Sequence, residues 1–268
     1  MIGIFDSGLG GLTVTKEVMR QLPNYQILYL GDTARAPYGN RSQELIYKFT
    51  EQAVDYLFKQ GCKLIIIACN TASAEALRKI QQKWLPKHYP AGRVLGVIRP
   101  VAQEATKISS LARIGVVGTK ATISSNAYIR ELQILNPAVK VLQQACPLLV
   151  PLVEEGFINR PETQKIVRYY VRPLKLKNID TLILGCTHYP MLLKQFKKAA
   201  GKNIKVFDPA VIVASSLKDY LARHPEIEKQ LAKNKDHQFL VTDLTQNFAN
   251  NAERWLGQKI ELKKIELI

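Results

Sequence analysis

The stretches LIIIACNT (64–71) and TLILGCTH (181–188) share one plan, in which an apolar segment runs into a cysteine that polar residues follow. Each apolar segment predicts a buried strand, so Cys69 and Cys186 lie at the carboxyl ends of strands. Open α/β sheets bind their ligands at those ends. Both cysteines are therefore candidates for chemistry.

A second matched pair indicates a repeat within the chain. The segment IGIF (2–5) precedes DSG, the segment IGVV (114–117) precedes GT, and their starts are 112 positions apart. The two cysteines are 117 positions apart, so both pairs have nearly the same offset. We infer two similar halves, which a chain of 268 residues can fold as two domains of ordinary size.

Short β-branched runs alternate along the chain with longer segments of helical period. In the segments 44–59 and 73–84, for example, apolar residues recur on one helical face. Such alternation is typical of parallel sheets with crossover helices. The strands are predicted at 2–5, 26–31, 63–68, 94–98, 113–117, 139–142, 179–184 and 204–207. The predicted fold is α/β, with two pseudo-symmetric, doubly wound parallel-sheet domains.

Turn-forming residues mark where the chain passes between the two predicted domains. They flank one short strand around 92–100 and another around 201–209. The first domain is therefore predicted to comprise residues 1–95 and 208–268, and the second residues 96–207. We expect the tail of the chain to rejoin the first half. Its elements are predicted at 209–223 (helix), 238–242 (strand) and 246–256 (helix).

The composition is that of a globular chain. Hydrophobic residues make up 47% and charged residues 22%, and no apolar run approaches the roughly 20 residues of a membrane span. The amino end begins in a strand-like segment rather than a secretion signal, so we predict a cytoplasmic location without membrane contact. The four cysteines lack Cys-x-x-Cys spacing and are expected to be reduced. Neither they nor the four histidines have the spacing of a metal site, and we predict no bound metal.

The chain is strongly basic. Lysine and arginine (38) exceed aspartate and glutamate (22) by 16, which gives a pI near 9.7. Such a surplus raises the attraction to polyanions and to small acidic substrates. The positive residues are scattered along the sequence, without a helix-turn-helix signature, finger spacing or RNA-recognition motif beside them. A solvated basic surface is the favoured interpretation.

Two polar turns follow the first two predicted strands. The glycines of DSGLGG (6–11) either bind an anion at the start of the next helix or only permit a tight turn. Their spacing matches neither Gly-x-Gly-x-x-Gly nor a P-loop, which disfavours a nucleotide. In GDTARAPYG (31–39), a local ion pair of Arg35 with Asp32 is favoured over a contact of Arg35 with a substrate carboxylate. The candidate substrate contacts of this turn are Tyr38 and Gly39.

An unpaired cysteine is most often a small buried hydrophobe, but two cysteines at matched turns favour a chemical role. Amide N–H groups and the helix dipole at such turns are expected to lower the thiol pKa of Cys69 and Cys186. Cys62 and Cys146 lack this context and are predicted to be core residues. The neighbouring side chains suited to a substrate carboxylate are Asn70, Thr71 and Thr187.

His188 directly follows the second cysteine turn. It is a candidate proton relay or partner for an ammonium group, whereas an isolated histidine is usually structural. A carboxylate after the segment ACPLLVP (145–151) is a candidate partner for this imidazole. The residues alone leave Glu154 and Glu155 as alternatives.

Six segments in one order resemble the glutamate racemase family. The resemblance covers nearly the whole chain, and the joint order of the segments is highly specific. It implies two α/β domains packed face to face, with the active site in the cleft between them. It also implies a cofactor-independent interconversion of L- and D-glutamate that supplies D-glutamate for peptidoglycan synthesis. The segments are FDSGLGGLTV (5–14), LGDTARAPYG (30–39), ACNTASA (68–74), IGVVGTKATI (114–123), ACPLLVPLVEEG (145–156) and GCTHYP (185–190).

The resemblance also implies roles for individual residues. Cys69 matches the base that deprotonates D-glutamate, and Cys186 matches the base that acts on the L enantiomer from the opposite side. The assisting groups are Asp6, Glu154 and His188, so the first of the two glutamates is selected. The family needs no cofactor, commonly forms homodimers, and includes members that inhibit DNA gyrase. The implied substrate contacts are Asp6, Ser7, Tyr38, Gly39, Asn70, Thr71, Thr119, Thr122, Thr187 and His188.

Two alternatives stay open at this stage. An aspartate or broad-specificity amino-acid racemase would use the same two thiols with a differently sized side-chain site. A binding protein, either a DNA gyrase inhibitor or a basic nucleic-acid adaptor, would not need the pair of thiols. A comparison of the rates on glutamate and aspartate distinguishes the first alternative from a glutamate racemase. DNA affinity that survives physiological salt supports a second, DNA-binding activity.

Overall fold

Ten strands form two sheets in residues 1–267, the part of the chain that the computed structural model describes. The strands are β1 Ile2–Asp6, β2 Ile27–Gly31, β3 Leu64–Ile67, β4 Arg93–Gly96, β5 Arg113–Gly118, β6 Lys140–Ala145, β7 Thr181–Gly185, β8 Lys205–Val206, β9 Gln238–Val241 and β10 Leu262–Lys264. The first sheet has the order β10-β9-β2-β1-β3-β4 and the second the order β6-β5-β7-β8. Every neighbouring pair is parallel. The predicted α/β fold with two parallel-sheet domains is thus confirmed.

The second sheet repeats the central part of the first. Its order β6-β5-β7-β8 is that of β2-β1-β3-β4, so β1 corresponds to β5 and β3 to β7. These are the strands that carry the repeated segments of the sequence. In each sheet the chain moves from its first strand to one side and then returns to the other side. A topological switch point, where α/β sheets bind ligands, therefore lies beside β1 and another beside β5.

Helices connect the strands. Side chains alternate along β1, so Ile4 packs with the helix α1 on one face, while Phe5 packs with α2 on the other. Within residues 1–267, no helix combines the length and the apolar character needed to cross a membrane. The helices are α1 Gly11–Gln21, α2 Gln43–Lys59, α3 Asn70–Glu75, α4 Leu77–Lys79, α5 Leu85–His88, α6 Ile98–Ile108, α7 Lys120–Ser124, α8 Ala127–Leu135, α9 Leu149–Glu154, α10 Pro161–Leu176, α11 Leu193–Ala200, α12 Pro209–Arg223, α13 Pro225–Glu228 and α14 Gln246–Leu256.

The segment 73–84 differs from the single helix that its apolar period predicts. The chain forms α3 and α4, then a π-helical turn over Ile80–Trp84, and then α5. Pro86 lies two residues after the π-helical turn and has no N–H to donate to the preceding turn. A helix can accommodate such a residue with a local π turn.

The tail adds strands to the first sheet. β9 pairs with β2, and β10 pairs with β9. The helices at 209–223 and 246–256 have the predicted bounds. β10 was not predicted because it has three residues, none of them buried, and so lacks a period-two apolar pattern. The exact domain bounds stay a prediction.

Candidate active site

The two predicted catalytic thiols line one cavity from opposite sheets. Cys69 follows β3 and Cys186 follows β7, and each is about 95% buried, with exposed fractions of 5% and 6%. The cavity is lined by Ser7, Gly8, Ala36, Pro37, Tyr38, Gly39, Cys69, Asn70, Thr71, Thr119, Val150, Glu154, Cys186, Thr187 and His188. Strand-end turns after β1, β2 and β3 of the first sheet and after β5 and β7 of the second therefore meet at a shared space.

Cys69 is held as a protonated thiol. Its sulfur lies 3.5 Å from the Ala72 amide nitrogen, which donates to it, and 3.5 Å from the Ser7 hydroxyl oxygen. Burial, together with the charge of Asp6, raises the pKa of Cys69 to about 12, against the smaller lowering effect of these two hydrogen bonds. The prediction that the turn lowers this pKa is wrong, because desolvation outweighs the N–H donor.

Cys186 belongs to a chain of three polar side chains. Its sulfur lies 3.8 Å from His188 Nδ1, and His188 Nε2 lies 2.9 Å from Glu154 Oε1. Burial alone lowers the pKa of His188, but the hydrogen bonds and charges of Cys186 and Glu154 outweigh it and raise this pKa to about 10. The imidazole is therefore a cation at neutral pH, and such a cation stabilises a thiolate beside it.

Glu154 is the last residue of helix α9. Its side chain reaches His188, whereas Glu155 is exposed. The structure therefore pairs His188 with the glutamate that the resemblance selects.

Asp6 ties the end of β1 to the loop of the second cysteine. Its carboxylate accepts hydrogen bonds from the Gly8 amide at 3.0 Å and the Thr187 hydroxyl at 3.1 Å. The Thr13 hydroxyl also donates to the Thr187 carbonyl oxygen at 3.0 Å. Complete burial raises the pKa of Asp6, against the lowering effect of His188 and these donors. The first domain thus fixes the position of a loop that the second domain carries.

Three threonine hydroxyls from the two domains form a triangle. Thr71 lies 2.9 Å from Thr119 and 3.2 Å from Thr122, and the latter two are 2.9 Å apart. Next to them, the Tyr128 hydroxyl donates to the Asn70 side-chain oxygen at 2.7 Å. Thr71 and Thr119 line the cavity, so the triangle offers neutral hydroxyl donors to a carboxylate.

The turn 31–39 forms the ion pair that the sequence favours. Arg35 Nε donates to Asp32 Oδ2 at 2.6 Å, and the Tyr38 hydroxyl donates to the same carboxylate. Tyr38 and Gly39 both line the cavity. Because the Tyr38 hydroxyl is already paired, its ring serves as a wall of the cavity.

Gly10 has a steric role that the sequence did not reveal. A Cβ atom on Gly10 would lie 2.3 Å from Thr187 Oγ1 and 2.5 Å from His188 Nδ1. Its φ of −58° suits any residue, so the requirement for glycine comes from space alone. In the sequence, the sign of this role is the run of glycines itself. That Gly10 lies against Thr187 and His188 becomes visible in the fold.

Helix α14 also contacts the site, and no spacing in the sequence points to it. The Asn251 side-chain amide donates to the Glu154 carbonyl oxygen at 3.1 Å. The Trp255 ring meets the His188 ring edge-on, with centroids 5.7 Å apart. The tail of the chain therefore braces both Glu154 and His188.

Within residues 1–267, no group of three or more His, Cys, Asp or Glu side chains is placed to hold a metal ion. Of the residues that line the cavity, His188 is the one cation, and none is lysine or arginine. The arrangement offers an imidazolium-paired sulfur, a thiol and neutral donors around a small space. Such a set can move a proton across a bound molecule.

Comparisons with known proteins give matches over nearly the whole chain. The chain matches the family model described as Asp/Glu/Hydantoin racemase over residues 2–217. It is 45% identical over 269 residues to a glutamate racemase from Chlorobaculum parvum, covering 100% of this chain and 95% of that one. The crystal structure of glutamate racemase isoform RacE1 from Bacillus anthracis has a TM-score of 0.91 at 39% identity, with coverage of 100% and 97%. A glutamate racemase from Francisella tularensis in complex with D-glutamate has a TM-score of 0.89 at 37% identity, with coverage of 99% and 97%.

Proposed function

Because the chain belongs to the Asp/Glu/hydantoin racemase family and is an amino-acid racemase, we propose that it interconverts L- and D-glutamate by proton transfer between two cysteines. The observation that carries this proposal is the pair of buried thiols, Cys69 and Cys186, that line one cavity from opposite sheets. Relatives named glutamate racemase, one of them in complex with D-glutamate, support glutamate as the substrate.

The partners of the two sulfurs suit the reaction of L-glutamate, since Cys186 lies beside His188 and Cys69 beside neutral groups. The Cys186 thiolate, stabilised by the His188 imidazolium, takes the α-proton and becomes a thiol as the Cα–H bond breaks. The carbanion then takes a proton from the Cys69 thiol on its opposite face, which forms the new Cα–H bond and leaves a Cys69 thiolate. The reverse sequence converts D-glutamate, and protons and charges balance without an oxidant or reductant.

Inversion requires two groups because a single base returns its proton to the face from which it came. The α-proton of an amino acid is a very weak acid, so the carbanion also needs preorganised donors, which contribute several kcal/mol in water-excluded sites. The hydroxyls of Thr71 and Thr119 and the amide of Asn70 are the candidate donors to the substrate carboxylates, and Thr187, whose hydroxyl donates to Asp6, lines the same surface. Ser7, Tyr38 and Gly39 complete the proposed binding surface, with Asp6 and Thr122 supporting it from behind.

The proposal is tested by following both enantiomers of glutamate with the purified chain and no added cofactor. We expect L- and D-glutamate to reach the same equal mixture, with solvent deuterium at the α-carbon of the product. Chiral chromatography and proton NMR in D2O measure both quantities. Faster inversion of aspartate than of glutamate would instead favour an aspartate racemase, and no inversion of either would favour a binding protein.

The pH dependence of the rate tests the role assigned to His188. The rate is expected to fall as pH rises through about 10, the pKa of His188. Above that value the imidazolium becomes neutral, and the cavity loses the one cation that faces a substrate with two carboxylates. Glu154→Gln removes a charge that raises this pKa, so the alkaline decline should move down by about one pH unit. Initial rates in both directions from about pH 7 to about pH 11 measure the shift.

The matched control for this experiment is Glu155→Gln, since Glu155 is exposed and lies beside Glu154 in the sequence. This variant should keep the alkaline decline of the unmodified protein. If the alkaline decline of Glu154→Gln occurs at the same pH as in the unmodified protein, the contact between Glu154 and His188 does not set the protonation of the imidazole.

The use of the product in the cell is also part of the proposal. We propose that D-glutamate made here is used for peptidoglycan synthesis, as the resemblance implies. A cytoplasmic location, a homodimer and an interaction with DNA gyrase stay predictions on the same ground.

A further inference from the structure

The positive charge of the chain is concentrated on one layer of the second domain. Residues 160–205 contain eleven lysines and arginines and two acids, a surplus of nine out of the +16 of the whole chain. One of the acids, Asp180, is buried and accepts hydrogen bonds from Ser109 and the Leu111 amide. Within residues 1–267, none of these eleven cations forms an ion pair, whereas Arg78 and Arg99 elsewhere share Glu131.

Helix α10 arranges four of these cations in a row. Lys165, Arg168, Arg172 and Lys175 are spaced by three, four and three residues, which places them within roughly 80° of one helical face. All four are exposed. At a rise of 1.5 Å per residue, the row is about 15 Å long.

Helix α11 packs beside α10 and extends the charged surface. The Gln164 side-chain amide donates to the Gln195 carbonyl oxygen at the start of both helices, and Lys175 Nζ lies close to Gly201 at their end. The two helices therefore run in the same direction. Exposed lysines of α11 and of the turn after it adjoin the row, namely Lys194, Lys197, Lys198 and Lys202.

A large aromatic ring lies beside this row of cations. Tyr169 is 74% exposed and, at about 100° per residue, projects roughly 40° around the helix from Lys165. Proteins that bind single-stranded nucleic acid combine a positively charged surface for the phosphates with exposed aromatic rings on which bases stack. Leu176 of the same helix is also exposed, at 69%, so the experiment below includes a lipid surface as the competing ligand.

The racemase site does not account for these cations. None of the residues that line the cavity is lysine or arginine, so the substrate carboxylates are met by hydroxyls, amides and His188. From charge, spacing and the exposed ring, we propose that the α10–α11 surface binds single-stranded nucleic acid through its phosphates, with Tyr169 stacking on a base. This activity is additional to the proposed racemisation and does not depend on it.

The test measures the binding of a fluorescent single-stranded DNA of about 20 nucleotides by anisotropy at several salt concentrations. The unmodified chain should bind at about 150 mM salt. The quadruple variant Lys165→Gln, Arg168→Gln, Arg172→Gln and Lys175→Gln should bind at least about tenfold more weakly. The slope of log affinity against log salt should fall in magnitude by roughly three for four lost phosphate contacts.

The matched control removes the same charge from elsewhere. Lys48→Gln, Lys83→Gln, Lys87→Gln and Lys259→Gln change four exposed lysines outside this surface. This variant should keep the slope within about one of the unmodified chain. Both quadruple variants should keep racemase activity, which shows that they are folded.

A single substitution provides a second readout that leaves the charge unchanged. Tyr169→Ala should weaken single-stranded binding by about fivefold or more and duplex binding much less, because bases in a duplex cannot stack on the ring. The proposal is overturned by absence of binding at about 150 mM salt, by equal losses in the two quadruple variants, or by preference for a duplex. Binding to anionic phosphatidylglycerol vesicles without binding to DNA would likewise overturn it in favour of a lipid surface.

Discussion

Cys69→Ala is expected to exchange the α-proton of L-glutamate with solvent but to invert it no longer. In this variant the Cys186 thiolate can still remove the proton of the L enantiomer, and a solvent deuteron returns to the same face. The acid on the opposite face is missing, so inversion should fall by about 100- to 10,000-fold, the range typical for loss of a general acid or base. Proton NMR in D2O reports the exchange, and chiral chromatography reports the inversion.

Cys186→Ala should exchange D-glutamate alone, and more slowly, because burial keeps most of Cys69 in its thiol form. Cys62→Ala is the matched control, because Cys62 is a buried thiol in the core of the first domain and does not line the cavity. It should retain both exchange and inversion. Undiminished inversion by Cys69→Ala would rule out the two-thiol mechanism, whereas loss of activity in Cys62→Ala would mean that the assay reports folding.

Gly10→Ala is expected to reduce racemisation by about 100-fold, since a displacement of about 1 Å in a catalytic group has an effect of that size. The new methyl carbon would lie 2.3 Å from Thr187 Oγ1 and 2.5 Å from His188 Nδ1, so one or both side chains must move. The displaced imidazole then no longer lies between Cys186 and Glu154. Steady-state rates with both enantiomers measure the loss.

Gly8→Ala is the comparison for this substitution. A Cβ atom there meets nothing nearer than Ala36 Cβ at 3.7 Å, an ordinary contact, and neither glycine has a positive φ. We expect a loss of less than about tenfold, because no catalytic side chain is displaced. Equal losses in the two variants would show that the glycine turn acts through its flexibility rather than through the space it leaves for His188.

Much of the fold could be predicted from local patterns. The apolar runs at 64–67 and 181–184 are buried strands, and the cysteine that follows each run lies at a strand end as expected. The prediction of one helix at 73–84 was less accurate, because the apolar period does not indicate the π-helical turn before Pro86. Strand β10 was not predicted because backbone pairing with β9 forms it, while its own side chains remain largely exposed.

Some residues of the candidate site could likewise be predicted from local patterns, and others could not. Short segments with strong local character carry the two cysteines, the polar turns and His188, so these residues could be named without a structure. The supports from Gly10, Asn251 and Trp255 could not, because each acts on residues far away in the chain. The thiol pKa of Cys69 was mispredicted for a related reason, since burial depends on everything packed around the sulfur and the turn supplies only one N–H donor.

The sequence by itself determined two repeated α/β halves and the strand-end positions of Cys69 and Cys186. These follow from side-chain periodicity and from the preferences of a few consecutive residues, which act over short distances along the chain. Only the tertiary structure decided that the two sulfurs share a cavity, that His188 lies between Cys186 and Glu154, and that the cations of α10 and α11 form one surface. Those properties depend on distances between residues from different elements, and packing of the sheets and helices sets these distances.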